Sequence, residues 1–347
     1  MTLLAFVAAV AIGGQVVSTT RSAGAQGAAQ GDGLPRAALD SVTRALNSPD
    51  WNERHGALRR VNEAYPEAIP GPLVAPILNL LDRETLSYNE HAGDEDFGEY
   101  LIDLVITGVQ TGDARAIPSI LALDGLGISS GVAAFVASRG AAVMPLLDAH
   151  ARTREDRASD VLETYALMYA RYGSRLTRGD SAQVLRRLLA AANDTSMSVR
   201  LQLALVAPRG PIGELLPAVA ELAASDPGQM DGAYIVRLNA ASALPALRQA
   251  QATLSTADLL NRLTLLTAAA CEDAAGRFSG QCVALNAHLS TALRGLSERD
   301  SVAAVNVLTV FRRAVQRLAA EGVLPRVHAV SLDGAAAAVV DRLGGSR

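Results

Sequence analysis

Cys271 and Cys282 are the only cysteines in the chain, and an even count invites pairing. They flank Glu272 to Gln281, where Gly276 and Gly280 allow a tight return between two helical segments. A disulfide there would close a short loop and stabilise by about 3 kcal/mol on a chain-entropy account. The alternative is a pair of free thiols doing redox or metal chemistry. It lacks both C-x-x-C spacing and a neighbouring His pair.

The second chemically dense stretch is Asp82 to Glu99, which gathers Glu84, Glu90, His91, Asp94, Glu95 and Asp96. Carboxylates at this density suit Ca²⁺, and His91 beside them suits a transition metal. The spacing matches no EF-hand loop. The expectation is therefore a solvated acidic loop that meets a protein or peptide partner, with no metal bound. Long loops in a compact helical array are often functional.

Other reactive types are dispersed. His55, His91, His150, His288 and His328 stand singly, with no H-E-x-x-H spacing. Phe278-Ser279-Gly280 is not a nucleophile elbow, and no phosphate-binding glycine pattern follows a strand signal. Tyr165, Tyr169 and Tyr172 make a stripe at helical spacing, which packing against a core or groove accounts for. No catalytic residue and no cofactor is expected.

The elements that must position these groups read as helices throughout. The chain has 347 residues, half of them apolar but only 4% aromatic, which favours helices packed closely on helices. Its net charge is -4, and all 31 basic residues are arginine. Without a basic stripe or clustered aromatics, nucleic acid is not an expected partner. Residues 1–25 read as a signal peptide. Met1 to Thr20 carries no charge, and Ala23-Gly24-Ala25 offers a small-residue cleavage site. The usual positive n-region is missing, and a retained anchor is the alternative. The apolar run Leu3 to Val17 is short for a span and contains Gly13-Gly14, which favours cleavage, an exported (periplasmic or extracellular) chain and no membrane span afterwards. Residues 26–34 form a Gly/Ala/Gln linker.

From Pro35 onwards the pattern is paired helical segments separated by Asp, Asn, Gly or Ser turns. Prolines ahead of paired apolar residues, at Pro76, Pro118, Pro145 and Pro217, mark first turns, where a missing N–H costs nothing. Within this array Asp194 to Leu205 (DTSMSVRLQLAL) recurs as Asp231 to Leu244 (DGAYIVRLNAASAL). In both, Val follows Asp by five residues and Arg by six: Val199 and Arg200, then Val236 and Arg237. Asp50 with Arg54 has a different spacing. Self-similarity at such a period signals stacked repeats.

A first helix with an early proline, a turn Asp and a Val-Arg opening the second helix resembles HEAT repeats, including the HEAT-like repeats of phycobilin-lyase-type proteins. The resemblance implies an all-α fold, an α-solenoid of about seven or eight antiparallel helix pairs over residues 35–347. First helices would lie on the convex side and second helices on the concave side, with Asp194, Arg200, Asp231 and Arg237 forming a structural ladder between repeats. The function expected is a non-enzymatic scaffold that binds a protein or peptide on its concave face or on the edge formed by the turns within pairs. The alternatives are a lyase-related, ligand-processing HEAT-like protein and a structural spacer in an envelope assembly.

Overall fold

The computed structural model describes residues 34–87, 94–153, 157–225, 230–271, 280 and 282–344. Residues 1–33, over which a signal peptide and most of a linker are expected, lie outside them. The described residues form sixteen α-helices and no strand. The first twelve are α1 (Arg36–Leu46), α2 (Trp51–Ala64), α3 (Gly71–Ser87), α4 (Glu95–Gln110), α5 (Ile117–Ala122), α6 (Ser130–Ala137), α7 (Met144–Ala151), α8 (Arg157–Tyr172), α9 (Arg178–Ala191), α10 (Met197–Val206), α11 (Leu216–Ser225) and α12 (Met230–Ala252). Four more follow: α13 (Thr256–Cys271), α14 (Val283–Ser297), α15 (Ser301–Ala320) and α16 (Arg326–Gly344).

Side-chain caps set many of the boundaries. Asp50 accepts the Asn52 N–H at 2.9 Å to open α2, and Asp300 accepts that of Ala303 at 2.9 Å to open α15. Thr177 and Asp180 make a reciprocal capping box at the start of α9. Pro118 and Pro145 occupy first turns as expected, each preceded by a short 3₁₀ turn. Pro76 does not: α3 begins at Gly71 and carries the proline in its interior. Asp231 also departs from its expected place in a turn, since α12 already begins at Met230.

The even-numbered helices α2, α4, α6, α8, α10 and α12 touch one another in chain order, and α1, α3, α5 and α7 do the same beside them. Beyond α12 the order changes. α13 packs on α9 and α16, while α16 packs on α11 and α15. Of the last four helices, α13 and α16 thus lie against α9 and α11, and the main neighbours of α12 remain α10 and α11.

Arginines tie this return in place. Arg186 of α9 donates to the Ala269 and Ala268 carbonyls, at 2.6 and 3.2 Å, in the last turn of α13, where a helix leaves acceptors open. Arg342 near the end of α16 donates to the Ala252 and Leu254 carbonyls, both at 3.1 Å, just past α12. Small residues let helices approach closely. A Cβ on Gly334 would sit 2.8 Å from the Pro217 ring, so glycine is what allows α16 to lie this close to α11.

Candidate binding face and the polar clusters behind it

The repeat device is clearest at Arg200 and, unexpectedly, at Arg54. Arg200 Nη1 donates to the carbonyls of Asp194 and Thr195 at 2.6 and 2.9 Å. Arg54 Nη1 donates to those of Ser48 and Pro49 at 3.0 and 2.8 Å, the same offsets of six and five residues. The turns match too: Asp194 Oδ1 accepts the Ser196 N–H at 2.8 Å, and Ser48 Oγ accepts that of Asp50 at 3.1 Å. Ser48, not Asp50, is thus the counterpart of Asp194, and both arginines are buried. Each guanidinium closes the turn that precedes its own helix. Arg237 is half-buried inside α12, and the side chain of Asp231 lies outside the described residues.

Between elements the connection is a cluster of arginine, carboxylate and tyrosine, fully buried at the first of three places among the described residues and partly buried at the other two. In the first, Arg54 of α2 pairs with Glu84 of α3 at 2.9 Å and donates to the Tyr100 hydroxyl of α4 at 3.0 Å. In the second, Tyr165 of α8 donates to Asp148 of α7 at 2.6 Å, and Arg187 of α9 holds both oxygens of the same carboxylate. In the third, Tyr169 of α8 donates to Glu214 at 2.6 Å, and Arg262 of α13 pairs with Glu214 at 2.7 Å.

Burial, and then the adjacent carboxylate, pushes the Tyr165 and Tyr169 hydroxyls well above the ordinary phenol range. Tyr100 is raised as well, chiefly by burial, with Arg54 opposing. Burial works against the Asp148 charge, yet hydrogen bonds from Arg187 and Tyr165 hold its carboxyl below the usual value. Tyr165 and Tyr169 are hydrogen-bond donors fixed on carboxylates, whereas Tyr100 accepts from Arg54. Each ties its helix to a charged group on a neighbouring element.

The acidic stretch divides. Glu84 is fully buried and also accepts from Ser87 Oγ at 2.9 Å, so it faces Arg54 in the core and is not part of a solvated loop. Glu90 and His91 lie outside the described residues. Asp94 caps α4 through the Asp96 and Phe97 N–H groups, at 3.1 and 3.2 Å, and Glu95 and Asp96 are exposed in its first turn. Carboxylates there favour the positive end of the helix dipole.

Cys271 and Cys282 are joined, with their sulfur atoms 2.14 Å apart. The histidines stay separate. His55 bonds Asp103 at 2.9 Å between α2 and α4, His150 and His328 are buried, and His288 is half-buried on α14. Burial, with help from the nearby Arg186 charge, pushes the His328 imidazole down to about 4. Among the described residues no three His, Cys, Asp or Glu side chains converge as a metal site.

What the surface does offer is an apolar stripe on α12, with exposed apolar residues also on α10, which packs against it. On α12 the residues Ala233, Val236, Ala240, Ala243 and Leu247 are buried. Tyr234, Leu238, Ala241 and Pro245 recur on the opposite side and are all exposed, as is Ile235. Tyr234 is 60% exposed and Leu238 56%, more than isolated surface residues of a helix require. Met197 and Leu205 are the exposed apolar residues of α10. Nothing in the composition marked this stripe. The signal was in α12 alone, which is apolar on two faces where one would suffice for packing.

The fold and this surface define an all-helical protein with an exposed apolar stripe on α12. Comparison with protein-family models, with curated proteins and with solved structures gives no match. Among the described residues no single helix is long and apolar enough to cross a membrane.

Proposed function

We propose that the chain is an exported, HEAT-like α-solenoid that serves as a scaffold binding a protein or peptide partner on the side formed by its second helices. The observation that carries this is the exposed apolar stripe of Tyr234, Ile235 and Leu238 on α12, the helix packed on α10, which exposes Met197 and Leu205 of its own. In a stack of helix pairs each second helix is flanked by the next, and the final unit carries a polar outer face. α12 ends the row of even-numbered helices with apolar side chains instead, a surface suited to the apolar face of a helical or extended peptide. The acidic start of α4, Asp94 to Asp96, is the second surface on offer, at the edge formed by a turn within a pair.

Affinity capture with the mature chain, with a Tyr234→Ser, Leu238→Ser variant and with an Asp94→Ser, Glu95→Gln, Asp96→Asn variant separates the two. Partners lost with the α12 variant and kept with the α4 variant support the stripe. Partners unaffected by the α12 substitutions contradict it. The α12 positions are exposed, so the variant keeps its fold, which circular dichroism checks.

A further inference from the structure

The return of the last four helices leaves a cleft of about 740 Å³ between α11, α15 and α16. Most of its wall is apolar: Pro217 and Ala220 from α11, Val315 and Ala319 from α15, Ala329 and Val330 from α16. Small side chains create the hollow. Three of these six residues are alanine, and where α16 comes nearest α11 the pair in contact is Gly334 and Pro217. The volume falls in the range of small-molecule sites, which favour seams between packed units. Along α16 the lining runs from Arg326 to Gly334, roughly 12 Å at the rise of an α-helix, which is short for a bound helix.

Three charged residues line the cleft: Glu221, Asp333 and Arg326. Asp333 is committed, taking Arg312 Nε and Nη2 at 2.8 and 3.0 Å and Gln316 Nε2 at 3.3 Å. Glu221 is held differently. Its partner Arg326, at 2.5 Å, has a side chain 79% exposed, against 22% for Glu221. With its guanidinium in solvent, Arg326 is the exchangeable half of the pair, while the partly buried carboxylate stays at the apolar wall and keeps its need for a cation. We propose that this cleft binds a compact, mainly apolar molecule carrying one positive charge, with the cation on Glu221 in place of Arg326 and the apolar body among the alanines. This site is separate from the α12 stripe and does not depend on it.

The test is calorimetric titration of the full chain with hexylammonium, hexanoate and hexanol. The expected result is saturable binding of hexylammonium at least tenfold tighter than the other two. Glu221→Gln should remove that preference, and a cleft-filling Ala220→Leu, Ala319→Leu variant should weaken all binding about tenfold with the helical signal retained. If the filled variant loses its helical signal, the partly exposed Glu221→Gln decides alone. Equal affinity for the three probes, no saturable hexylammonium binding, or a preference that survives Glu221→Gln would overturn the proposal.

Discussion

At the residue scale, the chain keeps charge inside itself and compensates it group by group. Arg54 and Glu84 are both buried, with the Tyr100 hydroxyl and two turn carbonyls completing the arginine's bonds. Removing one partner leaves an uncompensated charge, so Glu84→Ala should lower unfolding free energy by about 3–5 kcal/mol, measured by urea denaturation. An exposed carboxylate such as Glu95 should change it by less than about 0.5 kcal/mol when substituted by glutamine. His328 supplies a pH dependence. The unfolded imidazole, with an ordinary value of 6.5, takes a proton that the folded one, held near 4, refuses. Stability is therefore whole above the upper value and is lost as pH falls through this window, by on the order of 3 kcal/mol. His328→Leu should flatten that decline between neutral pH and pH 4, and an undiminished decline in the variant would place the proton elsewhere. Of these groups, the arginine device was legible: Ser48 precedes Arg54 by the same six residues that separate Asp194 from Arg200. Reading Asp50 as the anchor hid it, because the side chain that accepts the turn N–H is a serine hydroxyl. The tyrosine clusters were not legible, since Tyr169 meets Glu214 only across 45 residues of chain.

At the scale of the element, helix existence follows from local chemistry and neighbour choice does not. α2 and α15 begin and end where turn residues and apolar period place them, at Trp51–Ala64 and Ser301–Ala320. Pro76 misled because a proline in a first turn and one in the interior of a helix look alike in a string of apolar residues. Here α3 extends back to Gly71 ahead of it. The fit of α16 on α11 rests on a single missing methyl. Gly334→Ala would bring a Cβ to 2.8 Å from the rigid Pro217 ring, and the helices must part. Overpacking of this kind should cost about 1–3 kcal/mol in denaturant unfolding. The same change on an open surface of a helix, Gly56→Ala in α2 with nothing within 4 Å, should instead stabilise by roughly 0.5–1 kcal/mol. If Gly334→Ala stabilised as Gly56→Ala does, the close approach of α16 to α11 would be wrong.

At the scale of the whole molecule, the row α2 to α12 and the returning α13 to α16 leave one side of α12 uncovered and apolar. A continuing stack of seven or eight pairs was the natural expectation from a repeating pattern. What redirects the chain is long-range: Arg186 meets the carbonyls that end α13, and Arg262 of α13 meets Glu214. No periodicity within α13 to α16 encodes those contacts, so the pattern revealed helices but not their order in space. The central claim, that the stripe on α12 is where a partner binds, is most directly tested by placing a photo-crosslinking amino acid at position 238 and, in parallel, at position 95. Illumination in the producing cell is predicted to give a discrete adduct from position 238 and none from position 95. A discrete adduct from position 95 with none from position 238 would contradict the claim.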